Sequence, residues 1–184
     1  MAVDSNMVEL GTPAPDFALP SVTTGETVRL KDFDASPALL VAFLSNHCPY
    51  VRHIETRLGE MTAGLHDAGL ATVAISANDV INYPEDAPEH LLEQIGRAGF
   101  TFPYLYDAAQ DVARTYSAAC TPDFFLYDRD RKLAYRGQFD DSRPRSQVPV
   151  TGESLAFAVA QVIAGEPVPE PQYPSIGCSI KWRS

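Results

Sequence analysis

The sequence has 184 residues, which suits a single domain, and its 45% hydrophobic and 21% charged residues are typical of a globular protein with a full core. Its formal net charge is -10, which argues against nucleic acid or an anionic membrane as a partner, because both attract basic surfaces. The sequence shows neither a leader peptide nor an apolar run of about 18 residues. We therefore expect a cytoplasmic protein that does not enter a membrane.

The first part of the chain predicts little regular structure. We expect a loose arm at residues 1–10 and then an N-terminal extension at residues 11–30, where prolines separate short extended pieces. A small strand is predicted at residues 27–30, and residues 31–37 link it to the centre of the fold.

The central feature of the sequence is an apolar strand that leads through a polar turn into a helix. Residues 39–44 are all apolar, as in a strand buried on both faces, and Ser45–His47 form the turn. From Pro49 to about His66, apolar residues recur at spacings of three and four, which predicts a helix that begins with a favoured proline. Cys48 then lies at or beside the N-cap, where the helix dipole favours an anion. Thiolate is the nucleophilic form of cysteine, so we interpret Cys48 as an exposed, reactive thiol.

The rest of the chain alternates strands and helices before a proline-rich tail. Strand, helix and strand in this order imply a parallel pair of strands, whose carboxyl ends are the usual place for a ligand. The elements predicted after the first helix are a strand at 69–76, a helix at 89–98, a strand at 102–106, a helix at 107–116, a hairpin at 124–136 and a helix at 152–164.

Three stretches of the sequence together resemble one superfamily. Residues 39–53 look like the active-site corner of the thioredoxin fold, residues 11–20 resemble an N-terminal signature, and residues 121–128 resemble the segment in which a cis-proline opposes the active cysteine. The superfamily is that of alkyl hydroperoxide reductase and thiol-specific antioxidant proteins, with their thioredoxin-like relatives. The resemblance implies an α/β, thioredoxin-like fold with a central mixed sheet flanked by helices. The fold would occupy residues 11–165, followed by an extended tail at 166–184 that docks back on the domain.

The resemblance also implies thiol chemistry at Cys48. The unit Cys48-Pro-Tyr-Val51 is similar to the two-cysteine motif of glutaredoxins with valine in place of the second cysteine. The thiol that resolves an adduct on Cys48 must then be Cys120, Cys178 or an external thiol. Cys120 lies one residue before the position that contacts the nucleophile in this fold, and Cys178 is similar in placement to the C-terminal resolving cysteine of some peroxiredoxins.

Four further residues are predicted to position a substrate: Ser45, His47, Thr121 and Pro122. A cis bond before Pro122 would turn the backbone of Thr121 toward the cysteine and offer an edge for a peptide or thiol substrate. His47 would act as a nearby donor when protonated.

Hydroperoxide reduction is the less well supported version of this chemistry. Ser45 occupies the Thr/Ser position of peroxiredoxins, but Val41 stands where their proline is expected. Their arginine is also missing, because the matching segment reads Pro122-Asp123. The loop at residues 140–144 is predicted to be a surface turn without a role.

Two functional hypotheses follow from these features. The first is a thiol-dependent oxidoreductase, acting by thiol-disulfide exchange or hydroperoxide reduction, which needs an external thiol reductant but no cofactor or resident metal. The second is a non-enzymatic redox-sensing, binding or metal-carrier protein that uses Cys48 and His47. The sequence leaves open whether the protein forms an oligomer.

Overall fold

A computed structural model describes residues 1–183 of the chain and shows ten strands and four α-helices in this part. The strands are β1 (Ala2–Asp4), β2 (Ala18–Pro20), β3 (Thr27–Arg29), β4 (Ala38–Phe43), β5 (Leu70–Ser76), β6 (Tyr104–Tyr106), β7 (Cys120–Thr121), β8 (Asp123–Tyr127), β9 (Leu133–Arg136) and β10 (Ile176–Ser179). The helices are α1 (Pro49–His66), α2 (Pro88–Ala98), α3 (Asp111–Thr115) and α4 (Glu153–Ala164). None of these helices is long and apolar enough to cross a membrane.

The centre of the fold is a five-stranded mixed sheet in the order β6-β5-β4-β8-β9. β4 is parallel to β5 and antiparallel to β8, so it lies in the middle of the sheet with partners on both sides. Its alternate residues belong to different core clusters, Leu40 and Ala42 to the one with α1 and α4, Val41 and Phe43 to the other. The thioredoxin-like mixed sheet predicted from the sequence is confirmed, and so is the burial of its central strand on both faces.

The position of α1 follows from its apolar stripe. Val51, Ile54, Leu58 and Met61 are buried in the same cluster as Leu40, so the helix lies on one face of the sheet with its N-terminus at the carboxyl end of β4. This arrangement delivers Cys48 to the rim of the sheet, as the sequence predicts.

A second sheet of three strands joins the two ends of the chain. β10 is its middle strand, with β1 antiparallel on one side and β7 antiparallel on the other. The prediction of a loose arm at residues 1–10 is therefore wrong for Ala2–Asp4. The physical reason is that β10 brings its outer edge to this side of the molecule, and the N-terminal residues pair with that edge.

One predicted helix is shorter than expected. Residues 107–116 were expected to be helical from Asp107, but α3 spans only Asp111–Thr115. Gln110 precedes the helix in the left-handed conformation, with φ 66°. The Asp107 carboxylate instead accepts the N–H of Ala113 at 2.9 Å and satisfies a backbone donor inside the short helix.

Candidate active site around Cys48

Cys48 is the N-cap residue of α1, with extended backbone angles before the first helical turn. Its carbonyl accepts the N–H of Arg52 at 2.9 Å, which closes that turn. The thiol is completely buried, and Sγ donates to the carbonyl oxygen of Thr121 at 3.1 Å. The expectation of an exposed thiol is therefore wrong, because the C-terminal strand β10 packs against α1 beside it.

The segment that faces Cys48 is Thr121-Pro122. The peptide bond between these two residues is cis in the structure, and the Thr121 carbonyl contacts the thiol. The hydroxyl group of Thr121 is buried and finds no hydrogen-bond partner among residues 1–183. Thr121 and Pro122 are thus brought to Cys48, where a substrate-positioning role would require them.

The side chains of Ser45 and His47 instead both bind the carboxylate of Asp86, a residue that the sequence analysis did not predict to have a role. Asp86 is fully buried and accepts the Ser45 hydroxyl at 2.9 Å and His47 Nδ1 at 2.9 Å. It also accepts the backbone N–H of Asn46 at 2.7 Å and Asn78 Nδ2 at 2.5 Å. The turn between β4 and α1 is therefore held by a residue about 40 positions further along the chain, in the loop before α2.

The charge of Asp86 is stabilised by these contacts. Burial by itself would raise the pKa of this carboxyl group, but the hydrogen bonds from His47, Asn78 and Ser45, with the charge of His47, lower it below its ordinary value. The His47 ring is also stacked on Tyr83, with ring centroids 5.6 Å apart. Nδ1 of His47 is consequently committed to Asp86, and its ring orientation is fixed by two contacts.

A second polar network supports the same turn from α2. Arg97 donates to Asn46 Oδ1 at 2.8 Å and to Glu55 Oε1 at 2.7 Å. Gln94 donates to Glu55 Oε2 at 3.1 Å and to the Ser45 carbonyl at 3.3 Å. Side chains of α1 and α2 therefore fix both the backbone and the side chains just before Cys48.

Cys178 shares a neighbour, Thr121, with Cys48. It lies in β10 directly opposite Thr121, whose carbonyl binds the Cys48 thiol. Burial, together with the proximity of Cys48, raises the pKa of Cys178 to about 12. The fold thus places a second thiol, 130 positions further along the sequence, beside the first.

Cys120 is placed differently. It is completely buried in β7, and its Sγ donates to the carbonyl oxygen of Pro122 at 3.5 Å. Burial and the nearby charge of Asp123 raise the pKa of this thiol well above its usual range. Cys120 is therefore fully enclosed, whereas Cys178 is partly exposed.

A third group of residues beside the site was also missed. Asp140 and Ser142 are buried, although their loop was expected to be a surface turn. Ser142 gives its hydroxyl hydrogen to Asp140 Oδ1 at 2.5 Å and therefore accepts a hydrogen bond from His53 Nε2 at 3.0 Å. These residues line a small cleft with Tyr50 and Pro122. The ring of His53 on α1 is thereby held by this loop.

The arginine of β9 does not face an open site. Arg136 and Asp123 form an ion pair in which both side chains are fully buried. The guanidinium group also lies over the ring of Phe125, with 3.8 Å between its central carbon and the ring centroid. Asp123 in turn accepts the N–H of Ala119 at 3.0 Å. Arg136 therefore stabilises the segment around β7 and β8.

Together, the mixed sheet, the cysteine at the N-cap of α1 and the Thr121-Pro122 segment opposite it define a thioredoxin-like protein with one cysteine in its helix motif. Residues 10–136 match the AhpC/TSA family, and the chain belongs to this family. The family supports a thiol redox role.

Known proteins resemble this chain to different extents. A solved structure of an uncharacterized conserved protein from Geobacillus kaustophilus is 50% identical, with a TM-score of 0.96 over 100% of this chain and 97% of that one. The thiol-disulfide oxidoreductase ResA of Bacillus anthracis is 24% identical over 130 residues, which are 71% of this chain and 70% of that protein. A thiol:disulfide interchange protein DsbE from Chlorobium tepidum, described as putative, shares the fold. It is 22% identical, with a TM-score of 0.63 over 85% of this chain and 99% of that one.

Proposed function

We propose that this protein is a thiol-disulfide oxidoreductase in which Cys48 attacks a disulfide and Cys178 resolves the adduct. The observation that carries the proposal is the pairing of Cys178 with Thr121, whose carbonyl oxygen accepts a hydrogen bond from the buried Cys48 thiol. A cysteine motif with a single thiol needs a second one for a complete cycle, and this arrangement supplies it from the C-terminal strand. The cytoplasmic location expected from the sequence is part of the same proposal.

The proposed cycle has three exchange steps. Cys48 thiolate attacks one sulfur of a substrate disulfide, forms a mixed disulfide and releases the other sulfur as a thiolate. Cys178, after losing its proton to solvent, attacks Cys48 Sγ, and the second substrate sulfur leaves as a thiolate. An external dithiol then reduces the Cys48–Cys178 disulfide and is itself oxidised to a disulfide. Each step breaks one S–S bond and forms another, so the electrons come from the external dithiol.

The contacts of the site favour disulfide exchange over hydroperoxide reduction. Reduction of a peroxide requires donors aimed at its oxygen atoms, and the hydroxyl hydrogen of Ser45 is given to Asp86. Val41, which stands where the proline of peroxiredoxins is expected, lies in the apolar core. Asp123, in the segment where their arginine is expected, is paired with the buried Arg136. Disulfide exchange needs only an attacking thiol, a resolving thiol and a backbone edge, and these are the groups around Cys48.

The metal-carrier hypothesis is the less well supported alternative. Its ligands would be Cys48 and His47, but His47 Nδ1 is engaged by Asp86 and the ring is stacked on Tyr83. No group of three or more His, Cys, Asp or Glu side chains in residues 1–183 is arranged to hold a metal ion. Disulfide exchange is also the activity in the names of the Bacillus anthracis and Chlorobium tepidum proteins.

The experiment that tests the proposal is dithiol-dependent turnover of a small aromatic disulfide by the wild type and three cysteine variants. We expect Cys48→Ser to abolish turnover and Cys178→Ser to accumulate a mixed disulfide on Cys48, visible as added mass in the intact protein. Cys120→Ser is the matched control and should stay within about twofold of the wild type, as expected for a substitution outside the reaction path. Wild-type turnover by Cys178→Ser would contradict the assignment of the resolving thiol, and turnover by Cys48→Ser would contradict the whole cycle.

A further inference from the structure

The C-terminal docking segment, residues 175–183, occupies the open edge of β7. Cys178 pairs with Thr121 and Ser179 with Cys120, both in antiparallel register. Gly177 packs on the peptide unit between Thr121 and Pro122 so closely that a side-chain carbon there would overlap the Thr121 carbonyl oxygen. The segment therefore binds the backbone edge beside Cys48 as an extended polypeptide strand.

Polar contacts continue along the segment on both sides of β10. Ser175 Oγ donates to the Pro122 carbonyl at 2.7 Å. The backbone of Lys181 donates to Asn78 Oδ1 at 2.8 Å and accepts the N–H of Asp79 at 2.8 Å. The N–H of Arg183 donates to Gln110 Oε1 at 2.9 Å. Within residues 175–183, Ile180 is the one large apolar side chain that is fully buried.

These contacts are of a kind that can be exchanged for water. Each hydrogen bond contributes a net stabilisation of only about 1 kcal/mol, because the freed groups are solvated when the segment leaves. The segment also carries two positive charges, Lys181 and Arg183, on a chain whose net charge is -10. Arg183 lies 3.6 Å from Asp79, so part of the docking is electrostatic and exposed to salt.

We propose that the C-terminal docking segment is a built-in occupant of a polypeptide groove at Cys48, and that it determines substrate size. Small disulfides reach Cys48 by small movements around the docked segment, whereas an extended cysteine-containing polypeptide binds only after residues 175–183 leave the edge of β7. The return of the segment then brings Cys178 back to resolve the mixed disulfide. This inference rests on the proposed function, since it names the substrate class that the same site selects.

The register of the segment indicates what a displacing polypeptide looks like. Its cysteine takes the place of Cys178 opposite Thr121. The preceding residue takes the place of Gly177, against the Thr121 carbonyl. The groove therefore favours an extended segment in which glycine precedes the reactive cysteine.

The test compares a variant that loosens the segment with one that locks it. Gly177→Ala places a methyl group against the Thr121 carbonyl, and Gly64→Ala is the matched control, because a methyl group there meets nothing within 4 Å. Ser179→Cys introduces a thiol directly opposite Cys120. Residues directly opposite each other in antiparallel strands have Cα atoms about 4.5–5.5 Å apart, a separation that a disulfide can bridge. Oxidation of Ser179→Cys forms a disulfide with Cys120 that ties the segment to β7, and we call this form the oxidised lock. The same variant in reduced form is its control.

Alkylation of Cys48, quantified by peptide mass spectrometry, is the readout because it needs no catalytic turnover. The two reagents are iodoacetamide and an extended peptide that carries a maleimide group in place of the cysteine that follows its glycine. We expect Gly177→Ala to raise the rate with the peptide reagent by roughly tenfold, equivalent to about 1.4 kcal/mol in the opening equilibrium. The rate with iodoacetamide should change by no more than about twofold, because a small reagent does not need the segment to leave. The oxidised lock should suppress only the peptide reaction.

Each other outcome overturns the inference. Equal acceleration of both reagents would show a general lid with no selection by size, and no acceleration would show that the segment does not limit access. An unchanged peptide reaction in the oxidised lock would show that release is not required. Failure of the proposed function is a separate result, namely no disulfide turnover in the wild type or in Gly177→Ala although Cys48 is alkylated in both.

Discussion

Donor groups surround both carboxylate oxygens of Asp86, from Ser45, from Asn46, from the backbone and ring of His47, and from Asn78. Every one of these contacts requires an acceptor at residue 86. A buried acceptor of this kind is worth more than the sum of isolated hydrogen bonds, because its removal leaves several buried donors without partners. Asp86 therefore fixes the turn that presents Cys48, although it does not contact the thiol.

Asp86→Asn should destabilise the protein by roughly 3 kcal/mol, because the amide nitrogen of asparagine would have to face donors. The folded-state pKa of Asp86 is lowered below its ordinary value of 3.8, so its stabilisation is present above that value and is lost as the pH falls through the lower, folded-state pKa. The difference in unfolding free energy between wild type and variant should accordingly be large at pH 7 and shrink below pH 3.8. Urea denaturation at several pH values measures it.

The neighbouring exposed carboxylate provides the control. Glu85→Gln should leave stability within about 0.5 kcal/mol at all pH values, as is usual for surface substitutions. A pH-independent loss of stability in Asp86→Asn would contradict the role given to its charge.

At the scale of single elements, helices α1 and α2 are held together by a close approach at Gly59. A side-chain carbon at this position would overlap the carbonyl oxygen of Ala98, the last residue of α2. The same helices carry the contacts of Glu55 with Gln94 and Arg97 that support the turn before Cys48. The packing of α1 on α2 and the geometry of the site are therefore coupled.

Two glycines of α1 should respond in opposite directions to alanine. Gly64→Ala should stabilise the protein by about 0.5–1 kcal/mol, because alanine is the better helix former and the new methyl group meets nothing. Gly59→Ala gains the same propensity but separates the helices, and we expect a net loss of roughly 2 kcal/mol. Thermal unfolding of the two variants measures both effects. Stabilisation by Gly59→Ala would show that the helices can move apart without cost.

Elements with a strong local pattern could be predicted from the sequence. β4 is a continuous apolar run and α1 has an apolar stripe with proline at its start, so both were found with nearly correct bounds. β7, with two residues, and β1, with three, carry no such pattern. They are strands only because β10 lies between them, and this pairing depends on contacts between segments far apart in the sequence.

The site follows the same rule: residues in local motifs could be predicted from the sequence, and residues placed by long-range packing could not. Cys48 and the Thr121-Pro122 segment follow from local motifs, and the structure brings them together. Asp86 and the pair of Asp140 with Ser142 lie in loops without periodicity, and their burial results from packing against α1 and its preceding turn. Sequence patterns that reflect a residue's own element do not report such long-range contacts.

At the scale of the whole molecule, the two larger of the three sheets in residues 1–183 differ in their support. The five-stranded sheet is covered by apolar clusters on both faces. The sheet of β1, β10 and β7 joins the chain ends through hydrogen bonds such as Ser5 N–H to the Ser175 carbonyl at 2.8 Å and Ser179 N–H to the Met1 carbonyl at 3.1 Å. β10 is bound on both edges, and its release should break its hydrogen bonds to β1 and to β7 together. β7 should stay in place, because it is covalently continuous with the segment leading into central strand β8.

Native-state hydrogen exchange can resolve these two units, because local openings have lower free energies than global unfolding. The amides of Ser5, Ser179 and Ile180 should share one opening free energy, several kcal/mol below that of Leu44 and Ala74 in the central sheet. Higher salt should accelerate exchange in the first group alone, since Lys181 and Arg183 dock on an acidic chain. If Ser179 and Ile180 exchanged only with the central sheet, the C-terminal strand would be part of the global core, and polypeptide access to Cys48 would require unfolding of the whole protein.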